Sequence, residues 1–111
     1  MDLPRILSIN ILSRSALYSS YMPFITGGGL FIPSNDDYVL GSEVFLLLRL
    51  PDEADLIAAT GVVVWITPRR AQGLRVAGFG IQFLNSEQHI KTRIESQLTR
   101  ELPASRFTYT L

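Results

Sequence analysis

Apolar and polar residues alternate along much of this chain, and the alternation predicts β-structure. In residues 76–83, Ala77, Phe79, Ile81 and Phe83 alternate with small or polar residues, which is the period of a strand with one buried face. Turn-forming residues separate this segment from other short apolar runs. The predicted strands are residues 6–11, 30–32, 43–50, 56–65 and 75–83. Short strands at this spacing favour a small antiparallel barrel or sandwich.

A period of four marks the end of the chain. Ile90, Ile94 and Leu98 recur every four residues, which predicts one helix with a single apolar stripe. We place this helix at about residues 85–100 and expect it to lie against an open end or one face of the barrel. Residues 101–111 are short, polar and aromatic, and we expect them to be mobile.

Three consecutive glycines, Gly27–Gly29, stand just before the second predicted strand. A short helix capped by Ser13 precedes them and ends before Pro23. Glycine adopts positive φ and lets backbone or ligand approach closely, so the triplet predicts a sharp turn, a bulge or a ligand loop. No Lys or Arg lies between residues 17 and 34, so a phosphate bound there would have no side-chain cation.

Composition indicates a single globular domain over residues 1–111, of which about 1–84 would form the barrel. Hydrophobic residues make up 47% of the chain and charged residues 18%, a globular ratio. Ten basic and ten acidic residues cancel, which argues against nucleic acid as a partner. We see no signal peptide and no apolar run near the ~18 residues of a membrane span, so we expect a cytoplasmic protein without membrane insertion.

The residues give little support to catalysis or metal binding. The chain has no cysteine and one histidine, His89, so thiolate chemistry and the usual zinc sites are excluded. It has neither a nucleophile elbow nor a phosphate loop with its Gly-Lys pair. The acidic groups at 36–37 and 52–55 fit turn and solubility roles better than acid–base chemistry. We therefore expect no enzyme activity, no cofactor and no metal.

The aromatic residues are the remaining candidates for function. Tyr18, Tyr21 and Phe24 repeat at three-residue spacing before the glycines, and Trp65 stands at a predicted strand end. Aromatic residues at such positions are either core or exposed anchors for a partner. Composition alone leaves both interpretations open.

Several long motifs resemble the PilZ domains, and more closely the PilZ proteins of type IV pilus assembly. The resemblance covers almost the whole chain and includes the short Thr-x-Thr ending. The matching stretches are residues 17–24, 27–33, 38–48, 64–68, 71–73, 77–83 and 108–111. The resemblance implies a mainly β fold, namely a six-stranded antiparallel β-barrel with a C-terminal helix.

Both cyclic di-GMP motifs of ordinary PilZ domains are altered in this chain. The first is Arg-x-x-x-Arg, but neither Arg5 nor Arg14 has a second arginine four residues later. The second is Asp/Asn-x-Ser-x-x-Gly, and the corresponding residues are Phe24, Thr26 and Gly29. Only the glycine is kept. The resemblance therefore implies a degenerate ligand motif and no direct binding of cyclic di-GMP, as in the pilus subgroup.

The resemblance implies a non-enzymatic adaptor for type IV pilus assembly and twitching motility. The partners it implies are the pilus-extension ATPase and a degenerate phosphodiesterase-type receptor that binds cyclic di-GMP itself. The protein would then be recruited to the inner-membrane pilus machine. The family ties positions matching Tyr18 and Trp65 to partner contact, and we expect Tyr21, Phe107 and Tyr109 to contribute. The alternative is a direct cyclic di-GMP receptor with an atypical site at Arg69, Arg70 and Arg75.

Overall fold

The computed structural model describes residues 5–68, 76–84 and 87–101. This part of the chain folds into five strands and two helices. In chain order they are β1 (Arg5–Asn10), α1 (Arg14–Ser20), β2 (Gly29–Pro33), β3 (Glu43–Arg49), β4 (Ile57–Thr67), β5 (Gly78–Phe83) and α2 (Gln88–Glu101). The mainly β fold with a C-terminal helix is confirmed.

The strands form one curled, half-barrel sheet in the order β1-β3-β4-β5-β2. Three of its four pairings are antiparallel, but β1 runs parallel to β3. The expectation of a purely antiparallel sheet was therefore wrong. The segment between β1 and β3 contains α1 and β2, which is long enough to return the chain to the same end of the sheet. The described residues contain five of the six strands that the resemblance implied.

The apolar residues of the period-two strands and of the period-four helix are buried in one core. In β3, Val44, Leu46 and Leu48 are at most 1% exposed and alternate with outward residues. In β5 the predicted residues Phe79, Ile81 and Phe83 are at most 2% exposed. The stripe of α2 is also confirmed, since Ile90 and Ile94 are completely buried and Leu98 is 4% exposed. The apolar stripe of α2 therefore belongs to the same core as the buried residues of the strands.

Polar contacts fix both helices. The side chain of Ser13 accepts a hydrogen bond from the backbone N–H of Ala16 at 3.1 Å, which confirms the predicted cap of α1. On α2, the amide of buried Gln97 donates to the carbonyl oxygen of Pro51 at 3.0 Å and to the carboxylate of Glu53. These bonds join α2 to the β3–β4 turn. Neither described helix is long and apolar enough to cross a membrane.

Candidate functional site

The segment that corresponds to the second ligand motif is a tight turn between α1 and β2. The backbone N–H of Met22 donates to the carbonyl oxygen of Gly29 at 2.9 Å, which closes the turn. Gly27 and Gly28 have φ angles of 82° and 84°, in the left-handed region that favours glycine. Of the three alternatives that the glycines left open, namely a sharp turn, a bulge or a ligand loop, the backbone shows a turn.

Gly29 is required for a different reason. Its φ is not positive, but a Cβ at this position would lie 2.4 Å from the carbonyl oxygen of Ile81 on the paired strand β5. Any side chain would therefore push β2 away from β5. The one residue kept from the ligand motif is explained by strand packing, without a ligand.

The other two motif positions do not carry the side chains of the motif. Phe24 is 74% exposed and puts an apolar ring where ordinary PilZ domains have an acid or amide. Thr26 is exposed, and its backbone carbonyl already accepts a hydrogen bond from the side-chain amide of Gln82 at 2.7 Å. The loop therefore lacks the carboxylate or amide of the motif.

The two N-terminal arginines are engaged within the protein. The guanidinium of Arg5 lies 4.6 Å from the ring centroid of Tyr38 and 3.9 Å from the carboxylate of Asp36. The close contact with Tyr38, with smaller contributions from the carboxylates of Asp36 and Asp37, raises the pKa of Arg5. Arg14 on α1 pairs with Asp52 at 3.1 Å. Each guanidinium thus has a partner that a bound phosphate would have to replace or share.

A bulge turns three consecutive apolar side chains of β4 towards solvent. The register with β5 shifts between Val63 and Trp65, so one extra residue interrupts the alternation. As a result Val64, Trp65 and Ile66 are 39%, 48% and 37% exposed. The indole N–H of Trp65 donates to the hydroxyl of Thr67 at 2.9 Å. This bond holds the ring against the end of its own strand.

Cβ of Trp65 lies next to Gly80, a residue without a side chain. Trp65 pairs with Gly80 on β5, and a Cβ on Gly80 would lie 3.0 Å from Cβ of Trp65 and 2.9 Å from Sδ of Met22. The side chains of Met22 and Trp65 therefore lie next to each other on the outer face of β5. Met22, which follows α1 at the start of the glycine turn, therefore shares this side of Gly80 with the exposed tryptophan.

A second bulge lies opposite Val63, at Gly41 and Ser42 in the loop that precedes β3. The N–H of Gly41 donates to the carbonyl oxygen of Val63, while the N–H of Val63 donates to the carbonyl oxygen of Ser42. With φ at 87° in Gly41, this is a bulge of the glycine type. It leaves Val39 and Leu40 71% and 60% exposed. Five exposed apolar residues lie in the segments next to these two bulges and are called here the Trp65 patch: Val39, Leu40, Val64, Trp65 and Ile66.

An open cleft of about 620 Å³ adjoins the patch at Ile66. Its floor includes the stacked rings of Tyr38 and Phe79, whose centroids are 3.8 Å apart. The described lining residues include two carboxylates and no cation: Ser34, Asp36, Asp37, Tyr38, Ile66, Thr67, Pro68, Gly78 and Phe79. This lining disfavours a diphosphate.

The tyrosines expected at a partner surface have different surroundings. Tyr18 on α1 is half-buried against the core. Tyr21 is only 8% exposed, and its hydroxyl donates to Glu95 of α2 at 2.6 Å. Burial, together with that bond, raises the pKa of Tyr21. Its ring therefore braces α1 against α2 rather than facing solvent. Phe107 and Tyr109 lie outside the described residues.

Sequence reasoning missed Val39, Leu40 and Met22 as neighbours or members of the exposed surface. The signal for the first two was present, because two bulky apolar residues directly precede Gly41 inside a turn-rich loop. Nothing local indicated Met22, since its position depends on Gly80 in a distant strand.

A curled half-barrel that carries an exposed apolar patch at a bulge has the features of a binding domain. The family model for the PilZ domain matches residues 3–100, and the chain belongs to this family. PilZ domains are generally non-enzymatic binding domains, an adaptor type associated with cyclic di-GMP. No curated protein matches the chain significantly.

Proposed function

We propose that this protein is a non-enzymatic adaptor in type IV pilus assembly and twitching motility, and that it binds partner proteins instead of cyclic di-GMP. The observation that carries the proposal is the Trp65 patch. Exposed, partly supported aromatic residues are frequent anchors of protein interfaces, and here a bulge presents one among four other apolar side chains.

The altered ligand motifs support the second half of the proposal. Phosphate binding in ordinary PilZ domains needs free guanidinium groups, whereas Arg5 faces Tyr38 and Arg14 pairs with Asp52. Gly29 is accounted for by its contact with β5. No residue of the degenerate motif then remains that only a nucleotide would explain.

The partners are proposed from the resemblance to the pilus subgroup. They are the pilus-extension ATPase and a degenerate phosphodiesterase-type receptor, so that cyclic di-GMP is sensed by the partner. We propose that the adaptor is cytoplasmic and is recruited to the inner-membrane pilus machine. Trp65 serves as the main anchor and half-buried Tyr18 as a secondary one, while Tyr21 keeps α1 in place.

The test has two arms that use the full chain. Calorimetry with cyclic di-GMP should give no heat of binding, and micromolar affinity would instead support a direct receptor with Arg69, Arg70 and Arg75. Titration of each proposed partner should show that Trp65→Ala weakens binding roughly thirtyfold, the effect of ~2 kcal/mol. Because the ring is about half exposed, Trp65→Ala should lower the free energy of unfolding by only about 1–2 kcal/mol.

Leu56→Ala is the matched control for the partner titration. Leu56 is 50% exposed, close to the 48% of Trp65, but it stands before the first residue of β4, at the opposite end of that strand. Its truncation should change partner affinity less than about threefold. If both variants lose the same affinity for the partner, or if Trp65→Ala leaves the affinity unchanged, the Trp65 patch is not part of the interface.

A further inference from the structure

The strand β1 is an edge of the sheet, and among the described residues no strand pairs with its outer side. None of its six residues is buried, and Ile6 is 68% exposed. The opposite edge strand, β2, is treated differently, since Tyr21 bridges Leu30 and the strand ends at Pro33. Pairing and proline are common ways in which proteins protect an edge. In the described chain β1 has neither.

One hydrogen bond fixes which backbone groups of β1 point outwards. The N–H of Ile11 donates to the carbonyl oxygen of Arg49, in continuation of the pairing with β3. Along a strand the N–H and C=O groups of alternate residues face the same side. The odd-numbered residues of β1 therefore bond to β3. The backbone groups of Ile6, Ser8 and Asn10 face away from the sheet.

We propose that β1 pairs antiparallel with β1 of a second copy of this chain, about a two-fold axis at Ser8. This register places Ser8 opposite Ser8 and Ile6 opposite Asn10. It is the register in which all three outward-facing residues bond to one another. Axes at Leu7 or Ile9 would leave one of the three opposite a residue outside the strand.

The side chains are self-complementary in the same register. Leu7 and Ile9, which are half-buried against the core, lie opposite Ile9 and Leu7 of the second copy, so apolar side chains meet on the inner face. The outer face brings Ser8 to Ser8 and Ile6 to Asn10. Arg5, whose guanidinium is near Asp36, is three residues from the axis, roughly 10 Å along the strand. The net charge of zero means that the copies do not repel each other strongly at long range.

A single six-residue strand pairing buries little surface, so the dimer should be weak. Interfaces at the small end of the size range are typically transient, and we expect a dissociation constant on the order of 100 µM. Sedimentation equilibrium of the full chain, from 10 µM to about 1 mM, should show the mass rising from 12.4 kDa towards twice that value. A constant mass of 12.4 kDa over this range would overturn the proposal.

Ser8→Pro tests the backbone pairing. The substitution removes an N–H that faces outwards, so the ladder to β3 is kept and proline is tolerated at an edge. Ser8→Pro should remain monomeric while Ser8→Thr, the control, still dimerises. Circular dichroism checks that both are folded. Dimerisation of folded Ser8→Pro at the wild-type level would contradict the proposed pairing.

Cysteine crosslinking tests the register and does not depend on folding of the proline variant. The chain has no native cysteine, so each variant reports one position. At the axis, two hydrogen-bonded partners have Cα atoms ~5.5 Å apart, within disulfide range. Ser8→Cys should therefore crosslink at least tenfold faster than Asn10→Cys, whose two copies would be separated by roughly 14 Å along the strands. Equal rates would rule out this axis.

Discussion

Gly29→Ala tests whether the retained glycine of the ligand motif serves packing or a ligand. The added Cβ would lie 2.4 Å from the carbonyl oxygen of Ile81 and 2.9 Å from Cδ1 of Ile25. Favourable carbon contacts lie near 3.5 Å, so the strand backbone would have to retreat by roughly 1 Å. That movement strains the pairing of Gly29 with Gln82 at the start of β2.

The size of the effect follows from which atoms collide. Overpacking of cores usually costs ~1–3 kcal/mol, and a clash with strand backbone belongs at the upper end or above it. We expect a loss of about 3 kcal/mol or more, a large share of a small domain's stability. Gly41→Ala is the matched control. Gly41 has a φ of 87° but no atom within 4 Å of a Cβ, so only conformational strain of ~1 kcal/mol applies.

The assay is thermal unfolding, followed by circular dichroism with no nucleotide present. At roughly 4 °C per kcal/mol for a domain of this size, Gly29→Ala should melt at least about 12 °C below wild type, or fail to fold. Gly41→Ala should fall by only about 4 °C. If the melting temperature of Gly29→Ala equals that of wild type, or falls less than that of Gly41→Ala, strand packing does not require this glycine. A role in ligand binding would then be the better explanation for it.

Two further variants test the same region. Gly28→Val should lower the free energy of unfolding by about 2–3 kcal/mol. A β-branched residue at a φ of 84° is strained, and its Cβ would lie 3.3 Å from Cγ of Lys91. An unchanged melting temperature would show that the turn relaxes. Burial and the bond to Glu95 raise the pKa of Tyr21, so the folded protein keeps a proton that the unfolded chain releases near pH 10. The stability that the raised pKa of Tyr21 gives the folded protein is complete below pH 10 and is lost as the pH rises above that value. Denaturant titrations should show that Tyr21→Phe reduces that alkaline loss, and identical pH profiles would contradict the assignment.

Local periodicity was sufficient for most elements of the fold. The predicted strand 43–50 corresponds to Glu43–Arg49, and the stripe of Ile90, Ile94 and Leu98 lies in the core. These patterns are set by which face is buried, so neighbouring residues reveal them. The parallel pairing of β1 with β3 was not predicted, because it depends on the path of the segment between them. No local pattern encodes that path.

The exposure of individual aromatic rings was beyond sequence reasoning for a related reason. Trp65 faces solvent because the register with β5 shifts by one residue before it, and a shift of one residue exchanges the faces of a strand. Tyr21 is buried because it bridges Leu30 and reaches Glu95, which is 74 residues further along the chain. Both outcomes depend on distant partners. Composition therefore left core and interface open for each ring, and the expectation of a shared partner surface for Tyr18, Tyr21 and Trp65 did not separate buried Tyr21 from exposed Trp65.

The two proposed surfaces are compatible within one assembly, because they use different parts of the sheet. The Trp65 patch is formed by β4 and the loop before β3, whereas the outward edge belongs to β1, which is separated from β4 by β3. Pairing through β1 would therefore leave one patch free on each copy. A partner with several equivalent subunits could then engage both patches at once, and linked binding of this kind strengthens association without any new contact. A weak dimer would in this way make binding of the proposed partners depend on local concentration, so that binding is favoured where several copies of the chain gather.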